Sequence, residues 1–567
     1  MKKLILILAL ICIGTGLCCQ SGHAYEVISA EQAYIMISEN DTVIVVDVRS
    51  NIDYCYSGHI PCALNLNWNS GEFEREYQQL PTNVPIINVC EHGVRGARAS
   101  SFLDQHGYHD VYNISGGMSV WPYEKITCKN ENPDDCNKQK YLIYFPHIAS
   151  GEGWETDIAI INTSSETSLN GSIKAYNATG KQVGDLHSVD LPPAGRIEMK
   201  VGTTFTTPGL IRYLIFTGNS DAAYAYLKFY NNPDQSYRVA IPAPKTINSG
   251  DIIVSHIAMS DGWWTGLNLL NTTNESRTLT FTFNGEKTKN LTIAAGAHLA
   301  MNLAAFLEGW QLDEINSAII SNAEGVIGLE IFGNGKQLSG ILLRDTTTKN
   351  IYYPHIADDQ FWWTGLVAFN PGNSSGQLII KPYAADGTLL SPPAPATSTR
   401  MIILNPPPAA IPIEIRAKER YFGATSELDL PEGTKWMAIE SSVPVSGFEL
   451  FGTTNNLQLA GYTSVDIDGK SGIFPKYEHQ NDWTGIALIN TTSGRTSVTL
   501  TAYTDAGREV DSKTLPLNGF EQIVTDPKEI FDNSIDTATY IAYKATAPVV
   551  AFQINSEGDM LDALPGR

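Results

Sequence analysis

Cysteine is scarce in this chain and unevenly placed. Eight occur in 567 residues; Cys12, Cys18 and Cys19 sit at the extreme N-terminus, and none follows Cys136. A disulfide-dense scaffold is thereby excluded for everything beyond residue 140. Basic residues are also few. The balance of 38 Lys and Arg against 60 Asp and Glu gives a net charge of −22, which argues against nucleic acid and anionic membrane surfaces as partners. Past residue 24 no apolar run is long enough to span a bilayer as a helix. No cluster of His, Cys and carboxylate residues recurs at ligand spacing, so neither a metal nor a cofactor is expected.

What is present starts with an export signal over 1–24. Met1-Lys2-Lys3 is a basic start, Leu4 to Leu17 an apolar core, and Gly22-His23-Ala24 offers small residues for cleavage after Ala24. Leu17 and Cys18 precede Cys18 and Cys19 where a lipobox wants Gly or Ala, so a periplasmic or extracellular protein is expected rather than a lipoprotein. Five cysteines then remain: Cys55, Cys62, Cys90, Cys128 and Cys136. Exported cysteines normally pair, and five leaves one over. Cys128 and Cys136 bracket a short polar loop and are expected to form a staple. Cys55 and Cys62 flank a turn; they form a second bridge or stay reduced. Cys90 is then the unpaired thiol.

The surroundings of Cys90 carry the chemistry. Pro85-Ile86-Ile87-Asn88-Val89 reads as a buried strand, and Gly96 to Leu103 as a helix ending near Gly107. Between them stand Cys90, Glu91, His92, Gly93, Val94 and Arg95. A cysteine opening a short strand-to-helix loop meets converging N–H groups and the helix N-terminus, which favour a thiolate, and Arg95 adds a positive charge. An isolated cysteine here could equally be buried and inert.

The landmarks around it decide the matter. Val43 to Arg49 is a strand ending in Asp47-x-Arg49; Ser57-Gly58-His59-Ile60-Pro61 follows, then Ala63-Leu64-Asn65. After the helix come Gly107-Tyr108, Val111-Tyr112, Ser115-Gly116-Gly117-Met118 and Trp121. In this order, residues 25–126 closely resemble a single rhodanese-like (sulfurtransferase) domain, which implies an α/β fold with a parallel sheet flanked by helices. The resemblance implies that Cys90 carries a persulfide and passes sulfane sulfur to an acceptor such as a thiol or cyanide. It makes 91–95 the substrate-binding loop, with Asp47 and Arg49 holding the neighbouring loops. Related phosphatases have one residue more between Cys and Arg, and usually a histidine where Val89 stands; the smaller cradle suits sulfur. Two departures bear on the donor. Glu91 adjoins the nucleophile and is expected to repel a dianion such as thiosulfate, with His92 and Arg98 offsetting it, and Cys62 replaces the usual glycine after His-Ile-Pro.

From about Tyr141 the chain becomes all-β and repeats itself. His147-Ile148-Ala149 leads to Trp154-Glu155-Thr156; His256-Ile257-Ala258 to Trp264-Thr265-Gly266; His355-Ile356-Ala357 to Trp363-Thr364-Gly365; Phe474-Pro475-Lys476 to Trp483-Thr484-Gly485. Tyr176, Tyr383 and Tyr503 each precede a glycine turn, and the second copy has a tighter Phe283-Asn284-Gly285 hairpin. Each copy fits a β-sandwich of immunoglobulin-like size with about seven strands. Four are expected, at 141–247, 248–348, 349–468 and 469–567, after a domain at 25–127 and a linker at 128–140. The lone histidines read as structural, the Trp-Thr step as core or junction packing, and the Asn-Thr-Ser/Thr tripeptides at 162, 271 and 490 as turns. The chain is thus expected to be an exported sulfurtransferase on an end-to-end β stalk. The alternative is a non-catalytic scaffold or redox sensor whose repeats carry the main role by binding a protein or glycan.

Overall fold

The computed structural model describes residues 25–39, 43–82, 84–129, 141–231, 237–391, 410–428, 430–463, 469–478, 482–558 and 560–566. The expected signal peptide and Cys136 lie outside them. The chain forms two compact units, residues 1–140 and 141–567.

Unit 1 is an α/β domain. Its strands are β1 (Glu26–Ile28), β2 (Ile44–Asp47), β3 (Leu64–Asn65), β4 (Ile86–Val89) and β5 (Val111–Ile114), in the order β1-β5-β4-β2-β3. Every pairing is parallel. The central strands are buried and mostly apolar because α1 (Ala30–Glu39), α2 (Asn51–Ser57), α3 (Glu72–Glu76) and α4 (Val94–Gln105) give the sheet two covered faces. Val45, Ile87, Val89 and Ile114 fill one core; Val46, Ile86, Phe73 and Leu103 fill the other.

Unit 2 is four antiparallel β modules. The first has strands Tyr141–Phe145, Trp154–Asn162, Leu169–Tyr176, His187–Leu191, Arg196–Lys200, Tyr213–Gly218, Ala223–Asn231 and Arg238–Pro242. Its sheets run first-sixth-third-fourth and fifth-second-seventh-eighth. The second module repeats both orders. In the third and fourth modules the sixth and seventh strands are one continuous strand, Trp436–Thr453 and Tyr540–Glu557, serving both sheets. The repeating pattern therefore has eight strand positions rather than about seven.

The modules do not run end to end, so the stalk expectation is corrected. Their eighth strands meet around a common centre, first against second, second against third, third against fourth, and fourth against first. Ala240, Gly340, Gly461 and Ala563 occupy equivalent places on these strands. A Cβ on Gly340 would come within 2.9 Å of Val239 in the neighbouring module, so the close approach requires a small residue there. Apolar clusters then cross each junction; Leu329 and Ile331 of the second module join the core of the first, for example.

The repeated marks build these junctions. His298, Gln522 and Arg196 open the fifth strands of the second, fourth and first modules. Their N–H groups donate to Ala178, Ala385 and Asp505, each two residues past a repeated tyrosine of the preceding module (3.0, 2.8 and 2.9 Å). Tyr213, Trp436 and Tyr540 stack on those tyrosines and donate across the junction to the carbonyls of Gly296, Phe520 and Ala194. His147 and His355 sit half-buried at the first–second and third–fourth junctions, and His256 is buried at the second–third. Burial, aided by Arg212, Arg420 and Lys435 respectively, lowers them to about 4, 3 and 4, so they are neutral at pH 7. Thr156, Thr265 and Thr364 clamp Ala149, Ala258 and Ala357 through both backbone groups. Asn162, Asn271 and Asn490 are buried and stitch turns, with Nδ2 donating to carbonyls and Oδ1 accepting an N–H; they are closed to glycan attachment.

The junction that joins the last module to the first is ionic. Arg238 is buried against Asp562, Glu478 and Glu557, the last at 2.9 Å, and Arg196 pairs with Glu198 and Asp505. Removing one partner of a buried pair strands the other charge, at a cost of about 3–5 kcal/mol. Arg238→Met should therefore lower the urea midpoint of the unit 2 transition by that equivalent. A midpoint unchanged from wild type would mean that the apolar contacts alone close the ring.

Candidate functional site

Strand β4 ends at Val89 and delivers Cys90, only 1% exposed, to the mouth of the loop that leads into α4. Gly93 takes the left-handed conformation that turns the chain (φ 84°). Among the described residues, no N–H from Glu91 to Arg95 is hydrogen-bonded within the protein. These donors lie between a cysteine and a helix start, an arrangement suited to holding an anion. Arg95 is half-buried on the first turn of α4 and has no ion-pair partner among the described residues; His92 and Val94 are exposed. The Ser115-Gly116-Gly117-Met118 turn supports the loop from behind. Met118 N–H donates to Cys90 O (2.8 Å) and Ser119 N–H to Glu91 O (2.9 Å). A Cβ on Gly117 would collide with Cys90 O, which explains the glycine.

Asp47 and Arg49 form a buried frame beside the loop. Arg49 Nη2 donates to Asp47 (2.7 Å) and to Gly58 O (2.7 Å), and Nη1 to Glu91 (3.0 Å). Burial works against the Arg49 charge, but Asp47 and then Glu91 outweigh it and hold its pKa above the ordinary value. This corrects the expected role of Glu91. Its carboxylate is engaged by Arg49, so it acts as a tie between loop and frame rather than as an unopposed negative charge beside the sulfur. Arg98 is exposed on α4. No group of three or more His, Cys, Asp or Glu able to hold a metal occurs among the described residues.

The disulfide also differs from expectation. Cys55 is bonded to Cys128, with Cα atoms 4.7 Å apart, and neither expected bridge, Cys128–Cys136 nor Cys55–Cys62, forms. The reason is non-local. After Trp121 the chain returns to α2: His59 and Ile126 form a β-bridge, and Cys128 N–H donates to Cys55 O. Cys62 instead sits on an exposed turn at φ 65°, where a glycine would be at ease.

A parallel α/β sheet whose central strand ends in a cysteine cradle of this size defines a sulfurtransferase-type domain. Residues 29–123 match the family model of the rhodanese-like domain. The thiosulfate sulfurtransferase GlpE of Pseudoalteromonas translucida (strain TAC 125) is 37% identical over 101 residues, covering 17% of this chain and 90% of that protein. The thiosulfate sulfurtransferase GlpE of Shewanella oneidensis is 32% identical over 87 residues, covering 15% and 83%. Among solved structures, a rhodanese-related protein from Thermoplasma volcanium is 27% identical, covering 18% of this chain and 98% of that one, with a TM-score of 0.16. Through unit 1 the chain belongs to the rhodanese-like family.

Closing the Cys55–Cys128 loop stabilises unit 1 by about 4 kcal/mol in the chain-entropy model, given a separation of 73 residues. Non-reducing peptide mapping of the oxidised protein should recover this pair, and Cys55→Ser should lower the thermal midpoint of unit 1. A map that joins Cys128 to Cys136 would contradict the structure.

Proposed function

We propose that unit 1 is a sulfurtransferase that carries sulfane sulfur as a persulfide on Cys90, in a protein exported by residues 1–24. The observation that carries this reading is the set of unbonded N–H groups from Glu91 to Arg95 beside a buried cysteine. The Cys90 thiolate attacks the terminal sulfur of the donor. A new S–S bond forms as the donor's own bond to that sulfur breaks, and the leaving group departs with the electron pair, as sulfite if the donor is thiosulfate. The loop N–H groups hold the charge of the Cys90 persulfide, and Arg95 is placed to attract an anionic donor. A nucleophilic acceptor, a thiol or cyanide, then takes the outer sulfur and returns the thiolate. No redox change beyond this exchange is required, and no cofactor enters.

Two points support catalysis over a redox-sensing role. The disulfide of unit 1 leaves Cys90 unlinked, and Arg49, Asp47 and Gly117 brace the loop rather than fill it. Unit 2 would then act as a binding platform rather than a spacer.

Incubating the oxidised protein with thiosulfate should add one sulfur atom to the peptide containing Cys90, seen by mass spectrometry, and cyanide should remove it as thiocyanate. Cys90→Ser should lose both steps while its circular dichroism is unchanged. Labelling of Cys62 to the same extent would remove the assignment.

Because Glu91 is tied to Arg49, Glu91→Gln should leave thiosulfate kcat/KM within about twofold of wild type. A tenfold rise would show that the carboxylate faces the donor after all.

A further inference from the structure

Among the described residues, the junction between the second and third modules holds a guanidinium that no carboxylate pairs with. At the first position of the fifth strand, Arg196 has two carboxylate partners, Glu198 and Asp505. Gln522 donates to the carbonyls of Pro354 and Lys435, and His298 stacks on His147. The equivalent residue in the third module is Arg420. It donates to His256 Nδ1 (2.5 Å) and only distantly to Ile257 O (3.5 Å), and its Nε has no partner. Among the described residues no carboxylate lies within ion-pair range of it. Glu330 is fully buried with neither oxygen hydrogen-bonded, makes no ion pair with Arg420, and burial pushes its carboxyl well above the ordinary range. Arg420 itself is lowered by burial only to about 10 and remains charged at pH 7.

This same junction lacks the devices that seal the others. The second module has Phe283-Asn284-Gly285 where the others have a tyrosine turn, and its sixth strand opens with Ala318 in place of a donating aromatic. The junction also holds a cavity of about 270 Å³. Trp263, Trp363, Phe422 and Met259 supply apolar walls, Arg420 lies over the Phe422 ring, and His256 stands beside it. The single carboxylate in the lining, Asp313, is solvent-exposed.

We propose that this cavity binds a small organic carboxylate with an apolar, preferably aromatic, body. The ligand's carboxylate takes the place on Arg420 that Glu198 and Asp505 take on Arg196, and its body lies between the indoles. A cavity of about 150 Å³ accepts benzene, so the space here admits a ring with a short acidic arm. A guanidinium presents paired donors that match a carboxylate, which makes an acid preferable to a neutral ligand of equal shape.

The test uses the whole protein and two probes, phenylacetate and its neutral isostere phenylacetamide, by titration calorimetry. Phenylacetate should bind with one-to-one stoichiometry and at least about tenfold more tightly than the amide, a difference of about 1.4 kcal/mol. Arg420→Gln should bring phenylacetate down to the affinity of the amide. Met259→Trp, which fills the cavity and keeps Arg420, should abolish binding of both. Equal affinity for the two probes, binding that survives Met259→Trp, or no saturable heat from phenylacetate up to about 10 mM would each overturn the proposal. Should Arg420→Gln fail to fold, the comparison of the two probes on the wild-type protein still decides.

Discussion

The close approach of four innermost strands is the constraint on which unit 2 depends. Ala240, Gly340, Gly461 and Ala563 occupy the places where those strands meet, and a Cβ on Gly340 or Gly461 would press within 2.9 Å of the neighbouring module. Once the centre is fixed, each module must meet two neighbours. Its repeated tyrosine turn then faces the opening of the next module's fifth strand. The marks that recur in the sequence are thus junction marks. The tyrosine turns and the aromatic residue that opens the sixth strand recur because one geometry is used three times over, with the second module as the variant; the histidine is instead missing from the fourth, where Lys476 stands.

Charge is distributed according to the same geometry. The first and last modules are covalently joined only through the other two, and their contact is held by buried guanidinium–carboxylate groups around Arg238 and Arg196. Buried pairs of this kind add little net stability over an apolar contact but punish a wrong register severely. They suit a junction that must select one partner among four similar modules. Unit 1 uses the same chemistry on a smaller scale, where Arg49 joins Asp47, the Gly58 carbonyl and Glu91 into one frame behind the loop.

The parts legible in the sequence were those encoded locally. The strand-loop-helix around Cys90, the Asp47-x-Arg49 strand end and the all-β repeats are contiguous patterns, and alternation or spacing exposes them. The rest required partners distant in the chain. Cys55 and Cys128 come together because the segment after Trp121 folds back on α2, whereas proximity in sequence favoured the wrong neighbours for both. Glu91 looked like a charge beside the sulfur because Arg49 stands forty-two positions earlier. Closure into a ring was hidden for the same reason. Asp505 and Ala385 look like ordinary turn residues, and nothing in a turn announces that its carbonyl will accept a bond from another module. The single strand serving two sheets was likewise invisible, because Ser441, Ser442 and Pro444 interrupt the apolar pattern within Trp436–Thr453 as a loop would.

That uninterrupted strand also sets how the modules come apart. In the first module the chain leaves the strand between Gly218 and Ala223, and in the second between Ser321 and Val326, with Asn322 and Gly325 at positive φ. Such a break lets one sheet lose its hydrogen bonds while the other keeps them. In the third and fourth modules the two sheets share a backbone, and opening one pulls directly on the other. The amide hydrogens of the first two modules therefore have sub-global openings available for exchange with solvent, whereas those of the last two are released together, each module as one cooperative unit.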